Sequence, residues 1–226
     1  MDFVYICRDG ENEELRYSIR SVLHFYPDAK VHIFGGKPRW YSGNFTEIKD
    51  QGNKFDNINK CYEAICQSDL KEFILMNDDF FIIDKPDSFT YYYDGTLESK
   101  IDRHMKEYGI SKYARVLSEA NSKLKKIGIT QPLNYDVHTP ILFNKDKLAE
   151  IINLSFAPRS MYGNIFNVGG EKISDVKIYK NTDSVYINGY FLSTDDKSFI
   201  KVKNLLDKKF KDRSVYELES STNLRI

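Results

Sequence analysis

The strongest constraint in the chain is the stretch Phe73-Ile74-Leu75-Met76-Asn77-Asp78-Asp79-Phe80-Phe81-Ile82-Ile83, an apolar run with two adjacent carboxylates at its centre. A short apolar run rich in Phe and Ile reads as a buried strand. An ionised carboxylate buried without a partner is very costly. Asp78 and Asp79 are therefore expected where the strand leaves the core, facing a cation or a solvent cleft. Two acidic oxygen donors at a strand end suit Mg²⁺ or Mn²⁺, hard ions that bridge to substrate phosphates. The competing reading is a turn in which the aspartates cap the backbone, and the apolar residues on both sides weigh against it.

The preceding residues alternate strand and helix. Phe3 to Cys7 is a short strand, and Glu13 to Phe25 a helix with Leu15, Ile19, Val22 and Leu23 on one face, stopped by Pro27. Val31 to Phe34 is a second strand, ended by Gly35-Gly36-Lys37. A short strand near Phe45–Ile48 and a helix from about Phe55 to Gln67 lead into the opening stretch. This order argues for a parallel α/β unit, in which ligands bind at the carboxyl ends of the strands. Arg8, Lys37 and the helix start at Lys54 and Asn57 are expected at those ends, with Arg16 one helical turn from Arg20; helix N-termini favour anions. A surface ion pair for Arg8 and an ordinary turn for the glycines are the plainer alternatives.

Downstream, Tyr91-Tyr92-Tyr93 reads as a strand or a wall beside the site, and residues 97–126 as one charged helical stretch. Its basic residues, Lys100 to Lys126, are a solvated face or a patch for an anionic acceptor or nucleic acid. Asp136-Val137-His138-Thr139-Pro140 stands before the apolar Ile141-Leu142-Phe143. His138 is a candidate metal ligand, or else a hydrogen-bonded structural histidine; Asp136 is a candidate base or anchor for a substrate hydroxyl. A helix follows over 145–152. Residues 158–172 are polar and turn-rich and read as a long functional loop, with Tyr162 and Asn164 as candidate acceptor-binding residues. A terminal helix is expected near Phe199 to Phe210.

The length of 226 residues suits one domain. With 33 basic and 33 acidic residues the formal net charge is zero, which gives no overall field for a polyanion. No basic leader with an apolar core opens the sequence and no apolar run is long enough to span a bilayer. Cys7, Cys61 and Cys66 lack metal-type spacing and fit reduced thiols in a cytoplasmic protein. The phosphate-binding Gly-x-x-x-x-Gly-Lys-Ser/Thr loop, the Gly-x-Gly-x-x-Gly fingerprint after the first strand and the Gly-x-Ser-x-Gly elbow are all missing. What remains is a metal holding a diphosphate leaving group, with a sugar or phosphosugar transferred to an acceptor.

Asn77-Asp78-Asp79 after an apolar strand, preceded by a β-α-β half, resembles the Asp-x-Asp site of GT-A glycosyltransferases. More specifically, the chain resembles Stealth-type capsular polysaccharide transferases and their small bacterial and phage relatives. The blocks concerned are Val4-Tyr5 with Arg8, Glu14 to Ser21, Phe73 to Phe81, Asp136 to Pro140 and Phe191 to Asp196. The resemblance implies a GT-A-like single domain over 1–226, with a Rossmann-like, mostly parallel sheet and a mixed C-terminal acceptor region. Residues 1–83 would be the nucleotide-sugar half and 84–226 the acceptor-side half. It implies Mn²⁺ or Mg²⁺ held by Asp79, then Asp78, with His138 as an additional ligand. Arg8, Arg16, Lys37, Lys54, Asn57, Asn77 and Asp78 would contact the donor. Asn77 stands where the motif's first Asp belongs. Asp136 and Asp196 are candidates for the base, since inversion needs a carboxylate near the acceptor hydroxyl. The acceptor expected is a cell-surface glycan, or a hydroxymethylated DNA base for a phage enzyme. A sugar-1-phosphate transferase and a non-catalytic sugar- or nucleic-acid-binding domain are the alternatives.

Overall fold

A computed structural model describes residues 1–154, 157–181 and 189–218. In chain order its elements are β1 (Asp2–Cys7), α1 (Glu13–Phe25), β2 (Lys30–Gly35), β3 (Asn44–Glu47), α2 (Lys54–Gln67), β4 (Glu72–Asn77), β5 (Phe80–Ile82), β6 (Tyr92–Tyr93), α3 (Leu97–Tyr108), α4 (Lys112–Lys126), β7 (Ile141–Asn144), α5 (Lys145–Ile151), α6 (Pro158–Ile165), β8 (Glu171–Lys172), β9 (Phe191–Ser193) and α7 (Phe199–Lys209). The central sheet has the order β3-β2-β1-β4-β7. Its first four strands are parallel, and β7 runs antiparallel to β4. The architecture is α/β, with a mainly parallel sheet flanked by helices, as the sequence pattern implies.

The period of two along a strand decides which side chain goes where. Phe3, Tyr5, Ile74 and Met76 face the core under α1, with Leu15, Ile19 and Val22. Val4, Phe73, Leu75 and Phe143 face the opposite core, covered by residues of α2, α4, α5 and α6. With both faces buried, the central strands are continuous apolar runs.

The run from Phe73 to Ile83 is not one strand. β4 ends at Asn77, Asp78 and Asp79 form a turn, and β5 leaves the main sheet to pair antiparallel with β9. The reason is geometric. Adjacent residues on a strand point to opposite faces, and here both faces are covered, so two neighbouring charges cannot be accommodated within the sheet. Helix α1 fixes the new direction. The Ser18 hydroxyl donates to the Phe80 carbonyl, and the Ile82 N–H donates to Ser21 Oγ at 3.1 Å. A third apolar cluster, Tyr17, Phe81, Leu192, Phe199, Val202 and Leu206, then closes β5, β9 and α7 onto α1.

Two other expectations are corrected. The stretch 97–126 is two helices: Gly109, at φ +71°, ends α3, and Ser111 caps α4 by accepting from the Ala114 N–H at 3.1 Å. Residues 158–165, read as loop, are helix α6. Pro158 suits a first helical turn, and Met161 and Tyr162 are buried against the core.

The last described residues strap the molecule. Ser42 N–H donates to the Tyr216 carbonyl at 2.9 Å and Leu218 N–H to the Trp40 carbonyl at 2.7 Å. Arg20 grips Glu217 with two bonds, of 2.7 and 2.6 Å, and that carboxylate is 3% exposed. A two-pronged pair of this kind fixes orientation as well as charge. Among the described residues, no helix is long and apolar enough to cross a membrane.

At the end of β2, Gly35 holds φ +120°, and a Cβ there would sit 2.1 Å from the Cys7 carbonyl oxygen. Gly10 has a similar φ of +110° but open space around it. Gly35→Ala is expected to lose about 1–3 kcal/mol from backbone strain alone, with the collision in addition. Gly10→Ala should lose less, and urea denaturation of the two variants checks the difference.

Candidate active site

The site lies where the strand order changes direction, between the carboxyl ends of β1 and β4. Such switch points leave a crevice outside the sheet. Arg8 follows β1, and Asn77, Asp78 and Asp79 follow β4. His138 stands three residues before β7, and its ring lies 6.1 Å from that of Phe80, the residue after Asp79.

Each carboxylate of the turn has a partner from elsewhere. Asn12 caps α1, its Oδ1 accepting from the Leu15 N–H at 2.9 Å while its Nδ2 donates to Asp78 Oδ2 at 2.5 Å. Lys177 Nζ donates to Asp79 Oδ2 at 2.8 Å, with both side chains 14% exposed. The other oxygen, Asp79 Oδ1, is buried and has no hydrogen-bond partner. The Asp79 carbonyl accepts from the Thr194 N–H at 3.2 Å. Thr194 in turn donates from its hydroxyl to Glu14 Oε1 at 2.7 Å. Arg8 and Asp196 form an exposed ion pair at the rim.

Charge is unevenly matched here. Glu14, Asp78, Asp79 and Asp196 face Arg8 and Lys177, and the two ion pairs leave Glu14 and Asp78 without a cation. Both respond by holding their protons more tightly. Burial pushes Glu14 from an ordinary 4.5 up to about 7, with Asp79, Asp78 and Asp196 adding to the effect and the Thr194 hydroxyl opposing it. Burial and the neighbouring Asp79 raise Asp78, against the opposing pull of Asn12 and Arg8.

These residues fit a hard divalent ion. Asp79 Oδ1 is an oxygen donor with nothing to accept from, and Asp78 carries charge that no side-chain cation pairs with. Among the described residues no three His, Cys, Asp or Glu side chains converge on one position. Two carboxylates at most would then hold such an ion, the number with which Mg²⁺ is usually bound.

A second polar group borders the first. His138 gives both its backbone N–H, at 3.2 Å, and its Nδ1, at 2.9 and 2.7 Å, to the Asp175 carboxylate. Burial opposes ionisation of Asp175, but the His138 contacts and the Lys100 charge bring it down to about 2. Arg159 clips the same turn, donating from Nη1 to the carbonyls of Val137 and Thr139 at 3.0 and 2.7 Å. Its guanidinium lies 5.4 Å over the Phe80 ring, and its buried Nη2 has no partner. Asp136 accepts from the Tyr113 hydroxyl. With Nδ1 committed to Asp175, His138 has only Nε2 to offer a ligand.

The remaining candidates are dispersed. Asn77 is exposed at the end of β4, and Lys37 is exposed after β2, 5.7 Å over the Phe45 ring. Lys54 is exposed, and Asn57 is spent on its own loop, donating to Asp50 and accepting from the Gln51 N–H. Arg16 turns away from the acidic group: it stacks 4.9 Å over Trp40 and lies 3.8 Å from Glu217. Tyr162 belongs to the far end of the sheet. It is buried, its hydroxyl accepts from the Asn144 N–H at 3.0 Å, and Asn144 pairs with Glu72 at the start of β4. Asn164 is a clasp for the chain at Leu133, bonding its N–H and carbonyl at 2.7 and 2.8 Å. The structure thus uses both residues within the fold rather than at the strand ends.

Asn12, Glu14, Lys177, Thr194, Asp175 and Arg159 were not singled out by the sequence. Only Asn12 carried a readable signal, a cap residue directly before Glu13-Glu14 in a helical pattern.

Glu14 makes a pH-dependent prediction. The folded protein holds a proton at Glu14 that the unfolded chain releases near 4.5, so this contribution is full below pH 4.5 and lost as pH rises through about 7. Glu14→Gln stays neutral throughout. Its stability relative to the parent is expected to rise between pH 4.5 and 8, by up to roughly 3 kcal/mol. Urea denaturation across that range measures it, and parallel curves would contradict the assignment.

No protein-family model matches the sequence, and no curated protein matches it. Among solved structures, the fold aligns with the galactosyltransferase LgtC in complex with donor and acceptor sugar analogs, at TM-score 0.37 and 12% identity, over 74% of this chain and 70% of that one. It aligns with the apo form of the glycosyltransferase GlyE of Streptococcus pneumoniae TIGR4 at TM-score 0.36 and 10% identity, over 79% of this chain and 46% of that one. The chain spans less than half the length of the GlyE chain it matches. Likeness at this level leaves the reading of function to the site itself.

Proposed function

We propose that this protein is a metal-dependent glycosyltransferase that moves a sugar from a nucleotide-sugar donor to an acceptor hydroxyl, with Stealth-type transferases as its family. The observation that carries the reading is the Asp78-Asp79 turn at the switch point, short of positive charge and holding an unpartnered carboxylate oxygen. Asp79 and Asp78 would hold Mn²⁺ or Mg²⁺, which when bound neutralises charge on the departing diphosphate. Arg8, at the rim, binds the same diphosphate from the β1 side. Asn12 and the start of α1 hold the turn in place.

In the transfer, the bond from the sugar's anomeric carbon to the diphosphate oxygen breaks and a bond to the acceptor oxygen forms. The acceptor's proton passes to a carboxylate. Asp196 stands exposed at the rim, while the Tyr113 hydroxyl occupies an oxygen of Asp136. Arg8 holds Asp196 below the usual carboxylate range, while burial raises the proton affinity of Glu14. As the exposed carboxylate of the group, Asp196 receives the acceptor's proton.

A glycan is the favoured acceptor over modified DNA. Within the basic stretch, Arg103, Lys123 and Lys125 are each paired with a carboxylate, Asp94, Glu119 and Glu98. Those three charges are already committed, and the formal net charge of the chain is zero, which weakens the pull on a phosphate backbone.

Asp79→Asn is expected to cut transfer and donor hydrolysis by about 100-fold or more while the circular-dichroism melt persists. Chelation of divalent ions should do the same to the parent. Nucleoside diphosphate among the products supports glycosyl transfer, and nucleoside monophosphate would make the enzyme a sugar-1-phosphate transferase. Full turnover by Asp79→Asn would overturn the assignment.

A further inference from the structure

We propose that Lys177 is a built-in counter-ion which occupies the cation position at Asp79 until a divalent ion and an anionic diphosphate displace it. The inference rests on the metal-dependent reading above and assigns a role to a side chain outside the acidic motif.

Three observations lead to it. First, the contact is enforced by strand register. The chain at Lys177 bridges to Ser193, the Ile178 N–H donating to the Ser193 carbonyl at 2.8 Å, and Ser193 pairs with Phe80, the residue after Asp79. Lys177 therefore has a fixed address two strands from the turn. Secondly, the pair is secluded, with both side chains 14% exposed. Attraction between charges at 2.8 Å in such a place is far stronger than between exposed groups. Thirdly, the ammonium takes one oxygen of Asp79 and leaves the other without a partner. An incoming ion meets a carboxylate already half neutralised, with a fixed positive charge beside it.

The consequence is competition. A divalent ion alone must bind against the Lys177 charge, so the free protein holds it weakly. A diphosphate gives the ammonium another anion to face, and Asp79 is released to the metal. Asp195 and Asp196 also feel the Lys177 charge, so the displaced side chain has carboxylates nearby on the same side of the site. Ion and donor are in this way drawn to the site together, and each is favoured by the other to the same degree.

The test is binding of Mn²⁺ alone, read by calorimetry or by the electron paramagnetic resonance signal of the free ion. The proteins are the parent, Lys177→Met, Lys177→Gln and Asp79→Asn, each first shown to melt cooperatively. Both lysine variants are expected to bind Mn²⁺ at least about tenfold more tightly than the parent, from removal of one adjacent charge. The Mn²⁺ concentration for half-maximal transfer should fall by a similar factor. Asp79→Asn should lose the binding. Equal or weaker Mn²⁺ affinity in both lysine variants, with Asp79→Asn still defective, overturns the counter-ion role and leaves the metal reading intact. Mn²⁺ affinity unaffected by Asp79→Asn, or absent from the parent and both lysine variants, overturns the metal reading itself.

Discussion

Two neighbouring carboxylates cannot remain in a strand whose faces are both buried, and much of the molecule follows from that conflict. The chain leaves the sheet at Asp78, turns, and starts a second small sheet at Phe80. Ser18 and Ser21 on α1 satisfy backbone groups of β5 that its single partner strand leaves open. Once β5 is set, β9 has a partner, and α7 has a surface to cover. The local electrostatic problem and the C-terminal architecture are thus one problem.

The groups that manage this charge come from distant parts of the chain. Asn12 and Glu14 arrive on the first turn of α1, Arg8 on the end of β1, Lys177 and Thr194 on either side of β9. Helix α1 contributes twice over: its start holds the acidic turn and its middle fixes β5. The second polar group is organised in the same manner. Arg159 and Asp175, both downstream in the chain, reach back to the turn at His138 and hold both its backbone and its ring. A histidine restrained at so many points has one nitrogen and one direction left to it.

Periodicity showed the strands and helices of the first half because their side chains face continuous cores. In α1 the expected Leu15, Ile19 and Val22 are buried, with Leu23 half-buried at the edge. The long run at Phe73 misled because hydrophobicity does not register a change of sheet; β5 is as apolar as β4 but belongs to another layer. The helix at Pro158 was hidden by polar neighbours whose burial depends on α5 and the main sheet. Asp78, Asp79 and Arg8 could be placed at strand ends because charges beside apolar runs stand out, whereas Asp196 came only with the family resemblance. Lys177 could not be placed, since nothing near it in sequence says that Ser193 will lie alongside. Tyr162 and Asn164 erred in the opposite sense: their chemistry suits a ligand, but tertiary contacts at the wrong end of the sheet claim them.

The grip of Arg20 on Glu217 has a bearing on biosynthesis. One of the deepest partners of helix α1 is made 197 residues after the arginine that grips it. Until Glu217 emerges, Arg20 lacks the carboxylate that it meets in the finished fold. The helix that carries Asn12 and Glu14 therefore reaches its final seat only after Glu217 has been made. In a growing chain the surroundings of the acidic turn are thus completed only after β1, α1 and β4, which build it, have all been made.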